Sequence, residues 1–174
     1  MRNPQSSPIG PPATRRLARL REGIEPALRR LFHLYWLFQR GMTLGVRALV
    51  IDEGGRVFLV KHSYVSGWHL PGGGVEVGET LRAALARELA EEGNIELTAS
   101  PILHAVYLHA RVSRRDHVAL FVVRAFRQIA APVPNREIVG HGFFPLDALP
   151  ADTTTGTRAR IAEVLHGAPV ADTW

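Results

Sequence analysis

From Pro71 the chain runs Gly72-Gly73-Gly74-Val75-Glu76-Val77-Gly78-Glu79 and then enters a segment whose Leu81, Leu85 and Leu89 recur at helical spacing. Three successive glycines sustain neither a helix nor a packed strand, and a row of leucines must be buried against another layer. Thr80 is placed to cap the helix, and Gly93-Asn94 to stop it. On that helix Glu88, Glu91 and Glu92 fall at i, i+3 and i+4, an arc of roughly 100° immediately beside the leucine row. Like charges at this spacing repel. An ordinary solvated face would set its acids away from the leucines and pair each with a base four positions on. Here Ala84, Ala86 and Ala90 fill much of the remainder, and no base stands four positions after any of the three. A divalent, oxygen-seeking cation, Mg²⁺ or Mn²⁺, would relieve the repulsion. The unhindered glycine backbone beside it would admit a phosphate or the metal itself.

The 174 residues suit one domain with a short appendage, and an apolar share of 46% against 21% charged residues supports a folded core. With no cysteine, disulfides, thiolate zinc sites and cysteine nucleophiles are excluded, so any metal is held by oxygen or imidazole. The net charge of +5 is uneven. Residues 1–40 carry eight arginines against Glu22 and Glu25, whereas residues 41–174 carry 13 bases and 14 acids. The basic character therefore belongs to an arm and not to the main domain, which is weak ground for binding a nucleic-acid chain. Pro4, Pro8, Pro11 and Pro12 mark residues 1–13 as a leader without regular structure. No apolar region follows Arg2, so a secretory signal is not expected; the Arg-rich, acid-poor composition is also that of a mitochondrial transit peptide, which is the alternative to the expected cytoplasmic location. Pro26 opens a helix to about Arg40 whose Leu28, Leu31, Phe32, Tyr35, Trp36 and Phe38 pack on the domain or on a second copy of the chain; a membrane-surface role is the alternative.

After residue 41 the pattern turns to strands. Leu44–Asp52 and Val57–Lys61 read as a hairpin around Asp52–Gly55, Ile102–Val112 and His117–Phe126 as strands flanking a polar loop, and Val139–Phe144 as a last strand before a helix over Thr155–His166. The expected class is α/β (α+β), a mixed sheet between helices, with a basic leader and helical arm over 1–40 and one main domain over 41–174.

The glycine segment and its helix resemble the Nudix box, G-x5-E-x7-R-E-U-x-E-E-x-G-U with U aliphatic, through Gly73, Glu79, Arg87, Glu88, Leu89, Glu91, Glu92 and Ile95. Asn94 departs from the pattern's glycine, and asparagine is the next-best residue for a left-handed helix end. Six fixed matches would arise by chance in roughly one window in 10⁷, about 10⁻⁵ over the chain, so the match is informative. The resemblance implies a Nudix-type fold and Mg²⁺-dependent hydrolysis, by water attack on phosphorus, of a nucleoside diphosphate linked to another moiety. It further implies that Glu88, Glu91 and Glu92 are metal ligands, one of them a candidate for the base, with the Gly73 carbonyl as a further ligand and Arg87 with Glu79 as an orienting ion pair. In some similar enzymes an acid about six residues before the aromatic of the last strand joins the metal site, which points to Glu137 ahead of Phe143; a solvated loop glutamate is the alternative.

Five further residues are candidates for phosphate contact: Lys61 and His62 at a strand end, and Arg114, Arg115 and His117 from the later loop. Trp68 reads as core, and the remaining histidines form no ligand set. The expected partner is a small nucleotide derivative, with homo-oligomers allowed by the apolar arm. The competing function is a nucleotide-sensing module of the same fold without turnover; a complete acidic set speaks against it.

Overall fold

A computed structural model describes Phe32, Tyr35 and residues 41–133 and 136–174, and Met42–Trp174 forms one compact unit. The leader and helical arm expected over 1–40 lie outside the described residues apart from Phe32 and Tyr35, both helical and exposed.

The unit runs β1 (Thr43–Val50), β2 (Val57–His62), β3 (Trp68–His69), α1 (Leu81–Gly93), β4 (Ile95–Leu97), β5 (Ile102–Leu108), β6 (Asp116–Val123), β7 (Phe126–Gln128), β8 (Ile138–Phe144), a 3₁₀ turn (Leu146–Ala148) and α2 (Thr155–His166). One sheet has the order β1-β6-β5, with β1 and β6 parallel and β5 antiparallel to β6. A second has the order β3-β2-β8, all antiparallel, and β4 pairs with β7. The mixed architecture between two helices is the one expected.

The hairpin expected from β1 and β2 does not form. The two strands meet only at an Ile51–Val57 bridge and then enter different sheets. The physical reason lies in their composition. Ala48, Leu49, Val50, Val57, Phe58, Leu59 and Val60 are all fully buried, so each strand has both faces covered, which a two-stranded ribbon open to water on one side cannot supply. Side chains of one parity, Val46, Ala48, Val50, Phe58 and Val60, join Leu85 and Leu89 of α1; the other parity, Leu49, Ile51, Val57 and Leu59, joins Tyr107, Leu120 and Ile161 of α2. The two helices therefore cover opposite faces of the strands.

Two other strand expectations shift. The chain leaves β5 at Leu108 and turns through His109–Arg115, with the His109 N–H donating to the Asp116 carbonyl at 2.8 Å. The strand expected over His117–Phe126 breaks after Val123 so that Phe126–Gln128 can pair with Ile95–Leu97.

Candidate active site

Thr80 caps α1 as its side chain implies, the Oγ1 accepting from the Ala83 N–H at 3.2 Å. At the other end Asn94 adopts φ 49°, ψ 34° and its N–H donates to the Ala90 carbonyl at 3.1 Å. The left-handed end is real, and asparagine fills it. Between the caps Leu85 and Leu89 are fully buried, which turns the adjoining arc of carboxylates toward the glycine segment.

That segment runs antiparallel alongside β1. The Val46 N–H donates to the Gly73 carbonyl and the Ala48 N–H to the Pro71 carbonyl, each at 2.9 Å, and Gly45 bridges Gly74. Gly72 sits at φ 135° with its Cα against the Val46 carbonyl, where any Cβ would collide. Its N–H is thereby aimed at Glu92, donating to Oε2 at 2.7 Å. A Cβ on Gly73 would lie 2.7 Å from Glu88 Oε2, so only glycine leaves room for this carboxylate against the loop backbone. At Gly74 an added Cβ would meet nothing within 4 Å.

Arg87 organises the rim. Its Nε and Nη2 both donate to the Glu79 carboxylate at 3.1 Å, Nη2 also donates to the Gly74 carbonyl at 3.0 Å, and Nη1 donates to Glu88 Oε1 at 2.7 Å. Nη1 is also 3.6 Å from Glu91. The carboxylates are therefore not without a basic neighbour, as the forward i+4 spacing had suggested; Arg87 stands four positions before Glu91 and one before Glu88. The guanidinium holds the Glu79 carboxyl below the usual carboxylate range, and the two carboxylates raise the Arg87 pKa in turn.

Glu92 is the buried member, 7% exposed. Burial pushes its pKa up to about 7, the charges of Glu88 and Glu137 add to the rise, and the Gly72 N–H and the Arg47 guanidinium oppose it. His62 Nε2 lies 3.5 Å from Glu92 Oε1, but burial, Arg47 and His69 lower the imidazole pKa, so the contact at neutral pH is with a neutral ring. Glu91 projects to solvent. Glu137, just before β8, accepts from the Tyr64 hydroxyl at 3.1 Å, and its charge is felt at Glu92, His62 and Tyr64.

Strand alternation separates Lys61 from His62. His62 faces α1, whereas Lys61 pairs with Asp152 at 2.8 Å and lies 6.0 Å from the centre of the Trp68 ring. Arg114 and Arg115 are exposed in the β5–β6 turn. Trp68 packs edge-on against Phe144 at 4.9 Å, within the core of the α2 side. Arg47, Tyr64 and His69 escaped sequence reasoning. The only signal for Arg47 was a charge within an otherwise apolar strand; its Nη1 donates to the Leu70 carbonyl at 2.9 Å and its charge acts on Glu92 and on both histidines.

As they stand, no three acids or histidines among the described residues converge on one point as a closed metal site. The donor chemistry nevertheless fits a hard cation: carboxylate and carbonyl oxygens, with the charges of Glu88 and Glu137 adding to the rise that burial gives the Glu92 pKa.

The NUDIX domain family model matches residues 41–165. The chain belongs to the NUDIX domain family. Among curated relatives, this NUDIX protein is 33% identical over 76 residues to a Bacillus subtilis protein provisionally named an 8-oxo-dGTP diphosphatase, covering 44% of this chain and 50% of that one. It is 38% identical over 56 residues to the RNA pyrophosphohydrolase of Methylococcus capsulatus, 32% of this chain and 29% of that one. The chain thus spans about half or less of the curated relatives it matches. Among solved structures, the MutT NUDIX hydrolase of Burkholderia pseudomallei is 28% identical with a TM-score of 0.60, covering 70% of this chain and 97% of that chain. No helix among the described residues is long and apolar enough to cross a membrane.

Proposed function

We propose that this NUDIX domain is a pyrophosphohydrolase that cleaves a phosphoanhydride of a small nucleotide, with Mg²⁺, or Mn²⁺ in its place, held by Glu88, Glu91, Glu92, Glu137 and the Gly73 carbonyl. The observation that carries this reading is the seating of Glu88 in the space left by Gly73, with Glu92 fixed behind it on the Gly72 N–H. A solvated acidic helix would need neither glycine. When bound, the cation neutralises phosphate charge and lowers the pKa of water, the two needs of phosphoryl chemistry.

The protein's own contribution is orientation. Arg87 ties the helix to the loop through Glu79 and the Gly74 carbonyl, fixing where Glu88 and Glu91 project. The Gly72 N–H holds one Glu92 oxygen and leaves the other beside neutral His62. The Gly73 carbonyl accepts from Val46 and retains a second lone pair. The open approach to Gly74 leaves backbone accessible to a phosphate. Lys61, held by Asp152, and Arg114 and Arg115, exposed in their turn, remain proposed phosphate contacts that a substrate would have to recruit. Arg47 joins them as the cation already in place.

The substrate is placed among small nucleotides because residues 41–174 carry one more acid than base, which gives no extended basic track for a polyanion. A cytoplasmic location and a separate arm over 1–40 belong to the same proposal. The test is a panel of nucleoside triphosphates, oxidised triphosphates, nucleotide sugars, ADP-ribose and 5′-triphosphorylated RNA with Mg²⁺, read by product identity. Release of pyrophosphate or of a nucleoside monophosphate from a small member, abolished in Glu88→Gln, is expected. Tight nucleotide binding without any turnover would instead establish a sensing module.

A further inference from the structure

Glu92 and Glu137 approach the carboxylate site from different elements, one on α1 and the other just ahead of β8, and the end of β2 links them. His62 Nε2 is 3.5 Å from Glu92 Oε1, the His62 and Tyr64 rings meet at 5.2 Å between centroids with a tilt of 45°, and the Tyr64 hydroxyl donates to Glu137 Oε1 at 3.1 Å. Two residues at one strand end therefore bridge two acids whose own elements do not pair. Tyr64 is 66% exposed, so packing leaves its ring largely unconstrained, and the His62 ring and the bond to Glu137 set its place. Partial burial and that bond raise the Tyr64 pKa, so at neutral pH the hydroxyl keeps its proton and donates it.

The same strand end places the backbone of Glu137. β2 and β8 pair as Phe58 with Phe143 and Val60 with His141, but the register shifts after Lys61 and sets His62 opposite Ile138. One residue further on, the Ser63 N–H donates to the Glu137 carbonyl at 2.8 Å and Ser63 Oγ donates to the Arg136 carbonyl at 2.7 Å. These bonds fix the main chain at 136–137. The side chain of Glu137 is another matter, because the residue is exposed and a glutamate turns about three bonds whose freedom is lost on ordering. Tyr64 supplies a contact that orders it. A carboxylate offers about four lone-pair sites, and the bond to Tyr64 takes one of them.

We propose that Tyr64 is a positioning residue, whose hydroxyl holds the Glu137 carboxylate within reach of a cation on Glu92 before any cation binds. The two acids share one electrostatic space, since the charge of Glu137 is felt at Glu92 and at the His62 between them. A ligand whose orientation is fixed in advance loses less freedom on coordination, and removing such an outer partner typically lowers metal affinity about 10- to 100-fold. An exposed tyrosine belongs at the low end of that range. Tyr64 touches neither the cation nor the substrate and takes no part in bond cleavage. The inference rests on the reading of Glu92 and Glu137 as cation ligands of a pyrophosphohydrolase.

Mn²⁺ binding followed by electron paramagnetic resonance tests the assignment on the wild type, Tyr64→Phe, Glu137→Gln and the two substitutions combined. Tyr64→Phe keeps the ring, removes only the hydroxyl, and should weaken Mn²⁺ binding about tenfold. The double variant should bind no more weakly than Glu137→Gln alone, because the hydroxyl acts through that carboxylate. Urea midpoints in EDTA should be the same for the wild type and Tyr64→Phe. In turnover assays the Mg²⁺ concentration that gives half the maximal rate should rise in Tyr64→Phe by the same factor as the Mn²⁺ dissociation constant. Unchanged Mn²⁺ affinity in Tyr64→Phe overturns the inference, as does unchanged affinity in Glu137→Gln. So does a further tenfold loss on top of Glu137→Gln, or a fall in the urea midpoint of Tyr64→Phe, either of which would mark a role independent of Glu137. The expected pattern in a protein that hydrolyses no small nucleotide would defeat the phosphoanhydride reading and leave Tyr64 in its role. Nucleotide turnover that is lost in Glu88→Gln, with Mn²⁺ affinity indifferent to Tyr64, would do the reverse.

Discussion

Glu92→Gln in the metal-free protein tests the electrostatics of the carboxylate cluster without any assumption about turnover. Burial, with Glu88 and Glu137 adding, raises the Glu92 pKa from 4.5 to about 7. At 1.36 kcal/mol for each tenfold change in proton affinity, that rise corresponds to about 3 kcal/mol. The sign follows from proton counting. Between pH 4.5 and 7 the folded protein holds a proton that the unfolded chain has released, so stability falls as pH rises through this window and is level above about pH 8. Glutamine keeps an oxygen to accept from the Gly72 N–H and never ionises. The variant should therefore match the wild type near pH 5 and exceed it by about 2–3 kcal/mol at pH 8.5. His62 and His69, whose pKa values are lowered by burial, act in the opposite direction, stabilising the fold as pH rises to 6.5, but they do so in both proteins. The assay is urea unfolding in EDTA at the two pH values, taken as a difference between wild type and variant. A gain no larger at pH 8.5 than at pH 5 would refute the argument. With Glu92 as a proposed cation ligand, its proton must leave on binding, and metal affinity should climb as pH rises toward about 7 and level above it.

Four further outcomes are expected. Gly73→Ala should drive Glu88 out of its seat and lower Mn²⁺ affinity about 10- to 100-fold in an electron-paramagnetic-resonance titration, with the fold retained by circular dichroism. Arg87→Lys keeps the charge but loses the fork to Glu79 and Gly74, and kcat should fall about 10- to 100-fold, with Glu79→Gln adding little on top when the two are combined. Asn94→Ala forces a Cβ residue without a local hydrogen-bonding side chain into φ 49° and should cost about 1–2 kcal/mol in urea unfolding, whereas Asn94→Gly should be close to neutral. Ca²⁺ in place of Mg²⁺ should support little turnover, since its looser shell positions water less well.

Local features of the site were legible in the sequence to the residue. Thr80, Asn94 and the leucine row each act through neighbours within four positions, and spacing alone captures such effects. The carboxylate arc followed from the same arithmetic. Arg87 was expected as the partner of Glu79, but reading only forward from each glutamate missed that it also reaches Glu88 and Glu91 from behind. Long-range pairing was less accessible. Nothing in Leu44–Lys61 announces that β1 will pair with β6, more than sixty residues away, because a strand buried on both faces loses the alternation that would orient it. Arg47 and Tyr64 reach the site only through that topology, and Trp174 meets Gly156 across α2 at a separation no periodicity reports.

The central claim, attack of water on phosphorus at the carboxylate site, is tested most directly by hydrolysis in ¹⁸O-labelled water followed by mass spectrometry of the products. Label in a phosphate or nucleotide product, lost together with turnover in Glu88→Gln, is the predicted result. Label confined to a sugar or carboxylic acid product would contradict the account.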